Sequence, residues 1–366
     1  EYIFIFNRGE LNMIYYITRY TGDSKDAGTK APNDIESICR MNGWKEIRFV
    51  NPTSKYNKIK KLYVNFNNWK ELNKQVKKND IVLYQHPMYF GTKFANRFIP
   101  ILKKKGIKFI ALIHDLESLR NFTVTTEESK KSHLFGDLIV LKKFNYIIAH
   151  NKKMKQFLIE EGINENKIVC LEIFDYLCQT KMVNVKKSNK VSIAGNLDFN
   201  KCGYIYEFAS HNQDINIELC GGNYNFEKGK SIQNLVYRGS FAPDKITGVL
   251  SGSFGIVWDG PSSKSCVGNT GNYLKYNNPH KTSMYLAAGI PVIVWEEAAI
   301  ADFIKSNNVG IVVKSLEDLS SEINKITNEQ YELMAKNARK IGEFLRKGYY
   351  FKNSIEHIMK YYIGEN

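Results

Sequence analysis

Twelve apolar runs of strand length, most of them followed by a longer stretch of helical period, constrain this chain more tightly than any other feature of its sequence. Ile14–Thr18, Glu46–Val50, Ile81–Gln85, Lys108–His114, Tyr146–Ala149 and Ile168–Leu171 form a first series, and Val191–Ala194, Ile215–Leu219, Leu235–Tyr237, Gly255–Val257, Pro291–Val294 and Gly310–Val313 a second. A strand that is followed by a helix returns to its sheet by a crossover, so its neighbours run parallel and both faces of the sheet are covered. The polar, basic segment Gln179–Lys190, QTKMVNVKKSNK, separates the two series and reads as a linker. The pattern predicts an α/β chain of two doubly wound, Rossmann-like domains, 13–180 and 187–346. Residues 347–366, with the aromatic amphipathic helix Tyr349–Ile363, form a closing segment. Two such sheets in series direct their strand ends into a common central cleft, the default place for a ligand. At 366 residues and 43% hydrophobic content the chain can fill both cores.

Local signals support the helices. Pro32 opens a segment ending at Met41 in which Ile35, Ile38 and Cys39 fall on one face. Ala95–Lys105 is closed by Gly106, with Pro100 expected to kink or restart it. In NNPHKTSMYLAAGIPV, Asn278 can cap, Pro279 suits the first helical position, and Gly289 suits a left-handed stop before a buried strand.

Several classes fall away. The longest apolar runs, such as Ile290–Trp295, are far short of the roughly 20 residues that span a bilayer. The opening EYIFIFNRGELN has no signal-peptide pattern, and Met13 is read as the natural start after an extension. The six cysteines show no CxxC spacing, consistent with reduced thiols and a cytoplasmic location. A net charge of +15 asks for an anionic partner: nucleic acid, the face of a membrane touched peripherally, or a phosphorylated small molecule. Biased base composition would give the same excess of lysine. The lysines are spread through both halves and no nucleic-acid motif occurs, so no nucleic-acid partner is expected. Neither G-x-G-x-x-G nor a P-loop follows a strand, which removes hydride transfer and P-loop phosphate chemistry.

The loops after the second-series strands are small and polar: Gly195-Asn196-Leu197 with Lys201, Cys220-Gly221-Gly222-Asn223, and Arg238-Gly239-Ser240-Phe241. Glycine admits a phosphate or ribose close to the backbone, and Lys201, Arg238 and Lys281 could neutralise a diphosphate from separate loops. Each loop alone is also an ordinary βα turn. In the first series, IHDLESLR places His114, Asp115, Glu117 and Arg120 at a strand's carboxyl end, where a carboxylate or imidazole can take a proton from a hydroxyl. The alternative is a salt-bridged loop. Gly28-Thr29-Lys30, with Arg19 nearby, could line the same cleft, or form a surface loop; Gln85-His86-Pro87 ends another strand. No D-x-D triplet signals a metal-carboxylate site, so neither metal nor cofactor is expected.

With these motifs in hand, the chain resembles glycosyltransferases of the two-Rossmann-domain GT-B type. More narrowly, it is similar to the glucosyltransferases that extend O-linked GlcNAc on bacterial serine-rich-repeat adhesins, and to related galactofuranosyltransferases. The resemblance rests on Ala27-Gly28-Thr29-Lys30-Ala31 with Asp34, His114-Asp115-x-Glu117-x-x-Arg120, Ala194-Gly195-Asn196-Leu197, Tyr237-x-Gly239, and Asn277-x-Pro279-x-Lys281 with Leu286-Ala287-x-Gly289-x-Pro291-Val292. It implies a UDP-sugar on the C-terminal domain, a glycosylated protein or glycan acceptor on the N-terminal one, a final helix that returns across the interface, and a homo-oligomer, dimer or tetramer. By the same resemblance Asn196, Tyr237 and Gly239 should meet uridine or ribose, and Lys281 with the Pro279 helix start the diphosphate. Gly195, Leu197, Lys201, Arg238, Asn277 and His280 complete the expected donor-binding set. Asp115 is the expected base with His114 in reserve, and Arg19, Gly28, Thr29, Lys30 and Glu117 belong on the acceptor side. Retaining enzymes of the commonest GT-B family carry two glutamates at the places of Tyr276 and Met284. Their loss agrees with an inverting displacement. The expected reaction is transfer of a hexose, above all glucose, from a UDP-sugar to a sugar hydroxyl; the alternatives are galactofuranosyl or galactosyl transfer in polysaccharide synthesis, and a non-catalytic GT-B subunit that binds glycopeptide.

Overall fold

The computed structural model of the chain describes residues 13–20, 29–120 and 136–364. All twelve predicted strands are present. The N-terminal sheet holds β1 (Ile14–Tyr20), β2 (Lys45–Val50), β3 (Ile81–His86), β4 (Lys108–Ile113), β5 (Tyr146–Ala149) and β6 (Ile168–Cys170). The C-terminal sheet holds β7 (Lys190–Ala194), β8 (Asn216–Cys220), β9 (Leu235–Gly239), β10 (Phe254–Val257), β11 (Val292–Trp295) and β12 (Gly310–Val313). Every pairing is parallel, as crossover helices require. The orders are β2-β1-β3-β4-β5-β6 and β12-β11-β10-β7-β8-β9. Each sheet therefore reverses its winding once, between β1 and β3 in the first and between β7 and β10 in the second, and ligands bind outside the carboxyl ends at such points.

The cores explain why the halves fold this way. Strands β3, β5, β10 and β11 are buried at every position, which is the near-continuous apolar run of a sheet covered on both faces. One N-terminal layer joins Ile17, Phe49, Trp69, Phe109 and Phe144. The opposite layer is completed by Phe351, Ile355, Ile358 and Met359, from the far end of the sequence. The last helix, Tyr349–Gly364, thus packs on the N-terminal sheet. Buried Asp175 caps it by accepting the N–H groups of Tyr350 and Phe351 at 3.1 and 2.8 Å. Burial pushes the Asp175 carboxyl up to about 7, against the pull of those two donors.

Two local expectations change. Helix Thr92–Lys104 runs unbroken through Pro100, its apolar face anchored by Ala95, Ile99 and Leu102; packing outweighs one missing N–H. The second helix of interest is His280–Ala287, with Pro279 as its N-cap rather than its first residue. Asn278 does not cap it. Its side chain is used elsewhere, as described next.

Candidate active site

A cleft of about 410 Å³ opens where β7, β8 and β9 end. Its floor is backbone. Gly195 N–H donates to the Cys220 carbonyl at 2.9 Å, Leu197 N–H to Gly222 at 2.9 Å, and Gly221 N–H to Gly239 at 2.8 Å, so three strand ends form one continuous surface. The sequence must be glycine here. A Cβ on Gly221 would lie 1.7 Å from the Gly195 carbonyl oxygen, and Gly195 itself sits at φ +121°. Asn196 stiffens the rim, its Oδ1 accepting from Asn223 Nδ2 at 2.9 Å and from Asp198 N–H at 3.1 Å.

The charged wall comes from the start of the His280–Ala287 helix and the end of β10. Lys281 Nζ donates to Asp259 Oδ1 at 2.7 Å and to the Trp258 carbonyl at 3.0 Å. Lys201 approaches the other Asp259 oxygen at 3.8 Å. Burial opposes the Lys281 charge, but Asp259 overcomes it and holds the ammonium pKa above lysine's ordinary value. Asp259 was not singled out from the sequence; its signal was its place, two residues past β10 at the winding reversal. His280 also lines the cleft, its Nε2–H donating to the Asp175 carbonyl at 3.2 Å while burial lowers its pKa to about 4. Met284 stands at the back, in the place of the absent glutamate.

Other expected donor contacts are placed differently. Leu197 is 1% exposed and belongs to the C-terminal core. Tyr237 stacks on Tyr224 at 4.9 Å and donates its hydroxyl to the Gly221 carbonyl at 2.8 Å, so it props the glycine turn from behind. Gly239 contributes its carbonyl to that same turn. Arg238, next to it on a strand whose side chains alternate, turns away to buried Glu218 at 3.4 Å. None of these four residues lines the cleft.

Asn278 forms a fastener between the halves. Asn278 donates Nδ2–H to the carbonyls of His150 (2.6 Å) and Glu172 (2.9 Å) and accepts from Asn151 at 2.7 Å. Its own N–H donates to His150 Nδ1 at 2.9 Å, while His150 Nε2–H donates to the Ile113 carbonyl at 3.1 Å. These bonds fix a neutral imidazole, and burial lowers its pKa to about 4. Asn277 is not at the cleft, and its Oδ1 is buried without a protein partner. The polar head of this segment therefore joins the halves, and only His280 and Lys281 reach the candidate ligand.

In the N-terminal half Asp115 follows β4, outside the residues that line this cleft. Arg120 grips its carboxylate and also lies 3.7 Å from Glu117. The Tyr273 hydroxyl, from the other half, accepts the Leu116 N–H at 2.9 Å and donates to Asp115. Burial raises the Asp115 pKa to about 6, opposed first by Arg120; the Lys201 charge is near enough to be felt. Of the two readings of this loop, the salt-bridged one is what the contacts display. His114 is held flat against Phe174 at 5.5 Å, with Nε2 2.7 Å from Gln85 Oε1. His86 pairs with Asp137 at 3.1 Å, and although burial pushes Asp137 up, this bond keeps it below the usual carboxylate range. Glu117 accepts from the Tyr89 hydroxyl at 3.3 Å.

Of the other acceptor-side candidates, Gly28 lies outside the described residues, and Arg19 is within β1. Thr29 precedes the helix Lys30–Met41. Lys30 changes side: it lines the cleft beside Gly195 and Asn196, tied at 2.5 Å to both Asp34 and the Leu177 carbonyl, with Nζ 4.7 Å from the centre of the Tyr176 ring. Residues before and after the linker thus meet at the glycine-floored cleft.

Comparison with known proteins agrees with this architecture. A glucosyltransferase 3-like N-terminal domain matches residues 14–173, and a glucosyltransferase 3-like C-terminal domain matches 191–358. The β-1,6-galactofuranosyltransferase WbbI of Escherichia coli (strain K12) is 33% identical over 76% of this chain and 79% of its own. Glucosyltransferase 3 of Streptococcus gordonii is 27% identical over 75% and 78%. Among solved structures, Anabaena HepE in complex with UDP and glucose superposes with a TM-score of 0.63 at 11% identity, over 96% of this chain and all of that one. The outer-core galactosyltransferase WaaB gives 0.61 at 13% identity, over 96% and 99%. The fold is GT-B.

Proposed function

This chain belongs to the glucosyltransferase 3-like family of glycosyltransferases, and from that premise we propose that it moves a hexosyl unit, glucose first, from a UDP-sugar to a sugar hydroxyl of a glycosylated protein or glycan. The observation that carries this reading is the glycine-floored cleft at the ends of β7, β8 and β9, with Lys281 at its wall. Its backbone floor admits ribose and phosphate. Its cation suits a diphosphate. The names of two relatives, a glucosyltransferase and a galactofuranosyltransferase, bracket the donor sugar.

In the proposed step Asp115 takes the acceptor proton as the hydroxyl oxygen forms its bond to the anomeric carbon. The bond from that carbon to the diphosphate breaks on the opposite face, and UDP leaves with the electron pair. Lys281 and Lys201 stabilise the charge that gathers on the leaving group, a contribution of roughly 3–4 kcal/mol per well-placed donor. They do the work a metal does in other transferases. Arg120 and Tyr273 hold the base from the two halves, so proton transfer requires the halves to stay together. A homo-oligomer fits the resemblance and a cytoplasmic setting fits the six unpaired cysteines; among the described residues no helix is long and apolar enough to cross a membrane.

The test is a donor screen. At a ligand concentration of about 100 times Kd, a UDP-sugar that binds the folded state adds about 2.7 kcal/mol of stability. A thermal shift and slow hydrolysis with UDP-glucose or UDP-galactofuranose are expected. If no UDP-sugar shifts the melting temperature, the reading fails.

A further inference from the structure

A larger cavity than the glycine-floored cleft lies elsewhere. It encloses about 640 Å³ on the seam between the halves, roofed by the last helix, and no residue lines both it and the donor cleft. We propose that it is a second binding site, and that its ligand is a neutral saccharide.

The lining carries the argument. Tyr349, at the turn after Gly348, leaves 45% of its surface open. Phe344 braces its ring at 4.8 Å and 31°, and Tyr350 meets it edge-on at 5.3 Å. The result is a fixed aromatic shelf at a cavity wall, where a flat apolar face matches the C–H face of a pyranose. Around it stand the amides Asn307, Asn337 and Asn353. An amide both donates and accepts, which is the pairing a sugar hydroxyl needs. Two of them are oriented before any ligand arrives: Asn307 Nδ2 donates to the Phe303 carbonyl at 2.9 Å and Asn337 Nδ2 to the Asn308 carbonyl at 3.2 Å. Glu172 and Asp302 offset two of the wall's three lysines, Lys152, Lys153 and Lys340, which leaves a single net charge among many neutral polar groups. The volume falls in the range of about 300–1,000 Å³ typical of small-molecule sites.

The position gives the site a consequence. Asn151 lines this cavity and donates to Asn278, and His280, two residues on, lines the donor cleft. A saccharide held here contacts both halves and the last helix, and so favours the arrangement in which the fastener is closed. The site rests on its own lining and does not depend on the donor assignment.

The experiment is saturation-transfer NMR with glucose and with N-acetylglucosamine, on the full chain, with and without UDP. Transfer to the sugar ring protons is expected in both conditions. Tyr349→Ala should reduce it at least fivefold and Tyr349→Phe should keep it, with circular dichroism and the UDP thermal shift unchanged in both variants. Absence of transfer, transfer indifferent to Tyr349→Ala, or displacement of the sugar by inorganic phosphate would each overturn the proposal. Failure of UDP to bind would sink the donor reading and leave this measurement standing.

Discussion

The two sheets have the same number of strands, the same parallel pairing and the same single reversal, yet their carboxyl ends are furnished in opposite ways. At the ends of β7, β8 and β9 the chain is short of side chains, and an open backbone floor results. At the ends of β3, β4 and β5 it is crowded with ionisable groups that are already engaged: His86 with Asp137, His114 with Gln85, Asp115 with Arg120, and His150 with Asn278. On the proposed reading the first end takes the donor, and the second holds groups still while the acceptor arrives. The difference lies in loop composition, since the two sheets are built alike.

The largest test strikes the crowded end. Asp115→Asn keeps the shape and removes the base, so turnover should fall by about 10²–10⁴-fold while the UDP-induced thermal shift remains. Both readouts are needed, because loss of the shift as well would mean that the carboxylate is structural. In the intact protein the base works ionised. Because burial places its pKa at about 6, kcat/KM should climb as pH rises through that value and level off above it. The next test strikes the open end. Gly221→Ala puts a methyl into the Gly195 carbonyl, which the turn can relieve only by moving backbone. A cost of about 3 kcal/mol in stability and loss of UDP binding are expected, measured by denaturant melts and thermal shift.

How far the sequence could be read follows the same division. The strands were legible because a buried parallel strand is an unbroken apolar run, and runs such as Tyr146–Ala149 or Val292–Trp295 are short and rich in β-branched and aromatic residues, which favours strand over helix. The glycine loops were legible as a group, since position after a strand fixes where a loop faces. Side-chain roles were less so. Asn278 looked like a cap, and its true partners, His150, Asn151 and Glu172, are more than 100 residues away. Arg238 looked like a diphosphate ligand because charge is visible in a sequence, whereas the face of an edge strand is not. Asp259 was passed over for the opposite reason: a lone Asp-Gly has no spacing to mark it.

The smaller tests separate these last cases. Lys281→Met removes a cation from the open end but also leaves Asp259, 9% exposed at its side chain, with only distant Lys201. Truncating one member of a buried pair costs stability by itself. Lys281→Met combined with Asp259→Asn should therefore restore the melting temperature while UDP affinity stays about 10- to 100-fold down, the size of a charge-assisted hydrogen bond. Recovery of affinity along with stability would demote Lys281 to a structural role.

The smallest expected effect belongs to Arg238→Ala. If charge near the cleft were what mattered, this substitution would weaken UDP about as much as the loss of Lys281. The side chain instead lies on the Glu218 side of β9, half exposed, and Glu218 keeps Lys190 at 3.4 Å and the Ser251 hydroxyl at 2.9 Å when Arg238 is gone. An exposed arm of that kind contributes about 0–1 kcal/mol. UDP affinity should change by less than about twofold and the melting temperature by little, in calorimetric titration and thermal melts. A tenfold loss of affinity would mean that β9 presents its other face to the ligand, and that the open end is larger than its glycine floor.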